Sequence, residues 1–258
     1  MSIFKERKDF YYKSKDIILI KDDCINALKN IKGKSVDVIF ADPPYFLSGG
    51  GITCKGGKVA SVNKGKWDEK ISIHEKYKFN KGWIKACERV LKDNGTIWIS
   101  GSMHNIYSVG VVLEELGFKI INNITWQKTN PPPNMSCRMF THSTETILWA
   151  KKDYIKAKHV FNYDLMKKNN GNKQMKDVWN FSAPKLSEKK HGKHPTQKPL
   201  DLLFTIIQAS SNEDDIVLDP FCGSSTTGVA CNKLKRKYLG IDTNKEYLDL
   251  SIRRIENI

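Results

Sequence analysis

Residues 36–45 read Val-Asp-Val-Ile-Phe-Ala-Asp-Pro-Pro-Tyr. The apolar run over 36–41 predicts a strand buried inside a parallel sheet, and it ends abruptly in Asp42-Pro43-Pro44-Tyr45. Open α/β sheets bind ligands beyond the carboxyl ends of their strands, so these four residues stand where chemistry is expected.

Outward from this stretch, apolar β-branched runs alternate with helical patterns, the signature of a parallel sheet with helices on both faces. A short strand over 17–20 ends in Asp22-Asp23, and a helix over 24–31 is stopped by Gly33. Residues 46–70, rich in Gly, Lys and Ser, form a long stretch expected to lack regular structure and to serve function. Trp83, Cys87, Val90 and Leu91 mark one face of a helix expected to close at Asn94-Gly95. Strands follow at 96–100, 120–126 and 146–150, with a helix over 105–116 and a turn at Pro131-Pro132-Pro133. Residues 151–192 are polar, Lys/Asn-rich and weakly periodic, and are read as an insertion or small lobe, a candidate for target recognition. They divide a half over 1–150 from a half over 193–258 within one domain. In the latter, a helix over 199–210 starts on a proline, and strands at 216–218 and 238–241 lead to Asp219 and Asp242.

The chemistry of Asp42–Tyr45 suits an exocyclic amine. A carboxylate and a backbone carbonyl that accept its two N–H bonds would aim the nitrogen lone pair at an electrophile. Two prolines stiffen the turn and remove a donor. Tyr45 offers a ring on which an extruded base can stack. A Pro-Pro turn that merely ends a strand explains less of the pattern.

The second motif, Asp219-Pro220-Phe221-Cys222-Gly223-Ser224-Ser225-Thr226-Thr227-Gly228, again follows a strand and opens a helix. Glycine there permits close approach of backbone to a cofactor. Asp242, at the end of the next strand, stands where an acidic side chain grips ribose hydroxyls in dinucleotide folds. The loop is neither a dinucleotide fingerprint nor a P-loop, so a nucleoside cofactor without phosphates fits better. The third motif, His194-Pro195-Thr196-Gln197-Lys198-Pro199, precedes a helix, a natural seat for a carboxylate.

Composition agrees with a nucleic-acid partner. The 258 residues carry 43 Lys and Arg against 28 Asp and Glu, a formal net charge of +15, which favours a polyanion. Lys55, Lys58, Lys64 and Lys66 in the 46–70 stretch are candidates to clamp nucleic acid beside Tyr45. Six cysteines lack C-x-x-C or zinc-ligand spacing and read as reduced thiols of a cytoplasmic protein; no metal site is expected. No apolar run approaches the ~20 residues of a membrane span.

DPPY, followed by HPTQKP, DPFCGSSTTG and GID, resembles the β-class amino-methyltransferases of bacterial restriction-modification systems, in which the catalytic motif precedes the cofactor motif by circular permutation. The resemblance spans nearly the whole chain. ADPPYFLSGGG, WISGSMHNIYSVG, NITWQKTNPPPN, THSTETILWA and QMKDVW are closest to the DpnA-type subgroup, which modifies adenine in GATC and accepts single-stranded DNA. It implies a Rossmann-like fold with a mostly parallel seven-stranded sheet containing one antiparallel strand. S-adenosylmethionine is the implied cofactor, and a restriction endonuclease the functional counterpart. It further implies that Asp42 and the Pro43 carbonyl hold the N6 amine while Tyr45 stacks on the flipped adenine. Phe221, Gly223 and Ser224 would line the cofactor, with Asp219 near its methionine amine, Asp242 on the ribose, and Asp23 or its neighbour Asp22 meeting the adenine. Thr196 and Lys198, with His194 beside them, would face the methionine carboxylate. Ser225 stands where the family usually has glycine. If that position needs φ > 0, serine costs about 1 kcal/mol and weakens cofactor binding. N4-cytosine methylation, an RNA substrate and a non-catalytic DNA-binding role are the rival readings. A zinc deaminase lacks its H-x-E and P-C-x-x-C patterns here.

Overall fold

Alternate residues of the central strands point to opposite faces of one sheet, and each face carries its own helices. In the computed structural model, which describes residues 3–6, 8–48, 52–55, 58–61, 65 and 68–257, the first half comprises β1 (Tyr12–Lys13), β2 (Ile17–Lys21), α1 (Cys24–Lys29), β3 (Val36–Ala41), β4 (Ile52–Lys55), β5 (Lys58–Ser61), α2 (Ile73–Val90), β6 (Leu91–Gly101), α3 (Ile106–Glu115), β7 (Phe118–Lys128) and β8 (Thr144–Lys152). There follow α4 (Tyr163–Asn169), β9 (Val178–Phe181), α5 (Leu200–Ser210), β10 (Ile216–Asp219), α6 (Thr226–Lys233), β11 (Lys237–Asp242) and α7 (Lys245–Glu256). Ile39 and Ala41 of β3 pack with Trp83 and Cys87 of α2 and Val109 of α3. Val38 and Phe40 pack on the other side with Leu203 and Ile207 of α5 and Val229 of α6. Burial on both faces is why β3 carries apolar residues at successive positions rather than alternating ones.

The sheet order is β1-β2-β11-β10-β3-β6-β8-β7-β9. The seven strands from β2 to β7 are the expected sheet, with β8 antiparallel to both its neighbours. Two further edge strands make nine. β1 adds antiparallel to β2, and β9 adds parallel to β7. Their shortness, two and four residues, is what hid them in the sequence. β9 brings residues 151–192 onto the main sheet, where Trp179 and Met166 of α4 join the same buried cluster as Trp98 and Trp149.

Two loop expectations are corrected. Residues 46–70 contain an antiparallel hairpin, β4 paired with β5 from Ile52↔Ser61 to Lys55↔Lys58. Asn94-Gly95 does not end a helix. α2 already stops at Val90, and the dipeptide lies in a bulge of β6, where Val36 pairs with Leu91 but Val38 with Thr96. The start of α2 is a capping box, with Ser72 and Glu75 each accepting the other's backbone N–H.

β10 and β3 are adjacent and parallel, with Val217↔Val38 and Leu218↔Ile39 in register. From β10 the chain passes through α6 on one face to β11. From β3 it passes through α2 on the other face to β6. The connections diverge, and a crevice opens between the carboxyl ends of the two strands. This is the topological switch point of a doubly wound sheet.

At the turn after β10, Ser225 caps α6 with φ +51° and ψ +47°. The left-handed conformation is the one that glycine adopts without steric cost, so the serine is strained. Its hydroxyl accepts from Tyr238 at 3.3 Å. Replacement by Gly or by Ala removes that bond equally; Ala keeps the strain, and the looser unfolded chain of Gly offsets only part of its relief. Ser225→Gly is therefore expected to be more stable than Ser225→Ala by about 1 kcal/mol in denaturant titration. Equal stabilities would contradict the strain.

Candidate active site

The crevice is a cavity of about 360 Å³ that takes residues from every motif. Asp42–Tyr45 enter from the end of β3, and Asp219–Ser224 from the end of β10. Asp242 comes from β11, Asp22 and Asp23 from β2, and His194, Thr196 and Lys198 from the segment before α5.

The turn after β3 is held by a residue far along the chain. Asp68, buried, accepts the backbone N–H groups of Tyr45 (3.0 Å), Phe46 (2.7 Å) and Leu47 (3.2 Å), and the Ser48 hydroxyl (3.1 Å). One carboxylate thus gathers three consecutive N–H donors, and it compensates a strained backbone in which Phe46 has φ +57°. Asn105 donates to the Pro44 carbonyl at 3.4 Å.

Around Asp42 lies a buried network of charge. Lys198 Nζ is 2.7 Å from Asp42 Oδ2 and 3.3 Å from Glu145 Oε2. Lys128 Nζ is 2.6 Å from Glu145 Oε1, so two acids and two lysines balance. The Tyr45 hydroxyl sits among them, at 2.8 Å from Asp42 Oδ1, 3.0 Å from Glu145 Oε2, 3.0 Å from Ser100 Oγ and 3.1 Å from Lys198 Nζ. Burial alone would raise the Glu145 pKa, but Lys198 and Lys128 pull it down to about 2. Burial likewise opposes the Lys198 charge, while Asp42 and Glu145 hold its pKa above the usual lysine range. The Tyr45 phenol is pushed well above its ordinary pKa, first by burial and then by Asp42 and Glu145, so it remains a donor.

Lys198, expected to face a methionine carboxylate, lines the cavity with its ammonium on the Asp42 carboxylate. Glu145 and Asp68 are the residues that sequence reasoning missed. Glu145 lies in the quoted THSTETILWA stretch, yet a single Glu at a strand start looks like any other. Tyr45, expected as a stacking platform, is itself packed into the wall with its ring buried.

The other side of the cavity is built from backbone turns. Asp242 accepts from Gly223 N–H (2.9 Å) and Asn244 N–H (2.8 Å), which joins the loops after β10 and β11. Gly223 has φ +49°, and a Cβ there would stand 3.0 Å from His194 Nε2, so any other residue is strained and must push the imidazole aside. His194 packs edge-on against Tyr247, its ring centre 4.2 Å away, and accepts from Thr196 N–H at Nδ1. Burial, then Lys198 and Arg254, lower its pKa to about 4. Phe221 wedges edge-on against Trp83. Ser224 lines the cavity, but its hydroxyl and carbonyl are taken by Arg254. Asp23 caps α1 by accepting from Ile25 and Asn26 N–H. Lys55 and Lys58 fall in the hairpin strands, whereas Lys64 and Lys66 lie outside the described residues.

The sequence pattern of the N6/N4 family, described as DNA methylase, matches residues 36–253. The chain belongs to the N6/N4 DNA methylase family. The methylase is 60% identical to the Type II methyltransferase M2.DpnII of Streptococcus pneumoniae, over 95% of this chain and 92% of that one. Among solved structures it is similar to the M1.HpyAVI–SAM complex, with TM-score 0.68 and 33% identity over 93% of this chain and 98% of that one. The cytosine-N4-specific PvuII DNA methyltransferase, at 18% identity and TM-score 0.76 over 95% and 90% of the two chains, shares the fold.

Asp219 is a buried carboxylate of the methylase cavity with no salt-bridge partner among the described residues. Burial raises its carboxyl to about 7, against bonds from Thr227 and Phe221 N–H that lower it, with Asp42 and Asp242 adding to the rise. Below about pH 4 the group is protonated in folded and unfolded chains alike and costs nothing. As pH rises towards about 7 the unfolded chain loses the proton first, so stability is lost across that window. The thermal midpoint of the ligand-free protein should therefore shift in favour of Asp219→Asn, relative to wild type, between about pH 5 and about pH 8. A difference independent of pH would contradict this.

Proposed function

We propose that this methylase transfers a methyl group from S-adenosylmethionine to the N6 amine of adenine within GATC, on single strands as well as duplex. The observation that carries the proposal is the placement of Asp42 and Asp219 on two walls of one crevice, where an amine acceptor and a cofactor seat meet.

The cavity fits the cofactor on its own chemistry. Its volume lies within the range of small-molecule sites. Asp219 is a buried acid whose raised pKa would return towards normal beside a cation such as the methionine ammonium. Asp242 stands at the strand end suited to ribose, Phe221 offers an apolar wall, and Asp22 and Asp23 stand at the next strand end, where they would meet the adenine. Thr196 and Lys198, with His194 beside them, are the candidates for the methionine carboxylate. When bound, S-adenosylmethionine supplies an electrophilic methyl group on a sulfonium centre.

The protein's part is orientation. Asp42 would accept one N–H of the adenine amine and the Pro43 carbonyl the other, which turns the nitrogen lone pair out of conjugation with the ring. The Tyr45 hydroxyl now occupies Asp42 Oδ1, so the amine must displace it. Rotation of Tyr45 away from Asp42 would free its ring to stack on the base. Lys198 remains at Oδ2 throughout and keeps the carboxylate aimed. Lys55, Lys58, Lys64 and Lys66, together with residues 151–192, are the proposed contacts to the DNA backbone and target sequence. A restriction endonuclease is the proposed functional counterpart.

The test is product identity. Oligonucleotides differing only in GATC, offered single- and double-stranded with labelled S-adenosylmethionine, are digested to nucleosides. N6-methyladenine from GATC strands alone is expected. Label in N4-methylcytosine, or equal label in scrambled strands, would overturn the reading.

A further inference from the structure

Residues 129–143 join β7 to β8 at the same sheet edge that holds the crevice, and their stem is part of the site. Lys128 N–H donates to the Ser143 carbonyl at 2.8 Å and closes the stem. The side chain of Lys128 and that of Glu145, one residue beyond the first residue of β8, form the ion pair that touches Tyr45 and Lys198. Beyond the stem the loop is built to hold a shape. Three successive prolines fix φ at 131–133. Asn134 then ties the tip together, donating to the Met139 carbonyl at 2.5 Å and accepting from Ser136 N–H and hydroxyl at 3.0 and 2.8 Å. Asn130 accepts from Ala183 N–H at 3.1 Å and anchors the base of the loop.

Among its exposed polar residues this scaffold presents large apolar side chains near its end. Phe140 is 97% exposed and Met139 60% exposed, with Arg138 exposed beside them. Burying an aromatic side chain is among the largest single gains available to a folded chain. A hydrogen-bonded loop that holds one fully in water, on a stem whose Lys128 and Glu145 reach the catalytic crevice, points to a surface completed by the substrate.

We propose that Phe140, supported by Met139, is a wedge that enters the DNA base stack where the target adenine leaves it. The proposal rests on the methyltransfer reading above and deepens it. Asp42 is mostly buried at the floor of the crevice, so an adenine inside a duplex cannot reach it without being extruded. Extrusion leaves a gap between neighbouring base pairs and an unpaired partner base. Apolar side chains inserted between base steps fill such gaps, and a cation beside them meets the flanking phosphates. Arg138 supplies that cation, and a chain of net charge +15 favours the approach. A single strand offers no base pair to break and no partner base to leave behind, so the wedge is needed only on duplex.

That difference makes the test. Phe140→Ala and Phe140→Trp are compared with wild type for kcat/KM on GATC duplex, on the same single strand, and on duplex with an abasic site opposite the target adenine. The Ala variant should lose at least about tenfold on duplex and change no more than about twofold on single strand, with much of the loss recovered on the abasic duplex. The Trp variant should keep duplex activity. Equal losses on both substrates would make the loop a general DNA contact and overturn the wedge, as would an unaffected duplex rate or wild-type inactivity on duplex. Wild-type inactivity on every substrate would instead refute the methyltransfer reading itself.

Discussion

Two neighbouring parallel strands leave the sheet towards opposite faces, and the gap between their ends is the constraint on which the rest depends. β3 delivers Asp42 and β10 delivers Asp219, with Val217 and Val38 in register a few residues below. No helix can cover this gap, because each connection turns away from it. The order of the motifs along the chain does not matter to this geometry. The carboxylate proposed for the amine comes first in sequence and the cofactor loop more than 170 residues later, yet they share one cavity of this DNA methylase.

Charge inside the crevice is arranged in two ways. Around Asp42, two acids and two lysines balance, and the network ties β3, the start of β8, the end of β7 and the segment before α5 into one unit. Removing one partner of such a buried pair strands the other and costs about 3–5 kcal/mol. On the other wall Asp219 has no cation partner among the described residues, and its carboxyl is pushed to about 7. The first arrangement makes a rigid acceptor, and the second a seat whose charge is completed by a ligand. Strain follows the same division. Phe46 and Ser225, both at positive φ, flank the two loops that line the gap.

Much of this was legible in the sequence for physical reasons. The central strands announce themselves because both faces are buried, and Asp42–Tyr45 and the loop after Asp219 interrupt them with acids, prolines and a glycine that a central strand does not use. Gly223 is legible too, since its left-handed turn beside His194 favours a residue without a side chain. Edge strands β1 and β9 were not, being too short to show a period. The strands at 52–55 and 58–61 were hidden because each has only four residues, in a stretch whose Gly, Lys and Ser content reads as loop. Asp68 and Glu145 escaped for another reason. Each works through contacts with residues 17 or more positions away, and nothing local distinguishes them from surface acids. Lys198 shows the limit of position alone, since a lysine before a helix can serve a carboxylate of the ligand or one of the protein.

The central claim is that Asp42 acts on the amine while the opposite wall holds the cofactor. The most direct measurement is the single-turnover methylation rate of Asp42→Ala on a GATC single strand, paired with calorimetric titration of S-adenosylmethionine into the same variant. A rate lower by about a hundredfold or more, with cofactor affinity within about threefold of wild type, is the result predicted. A rate close to wild type, or a loss confined to cofactor affinity, would contradict it.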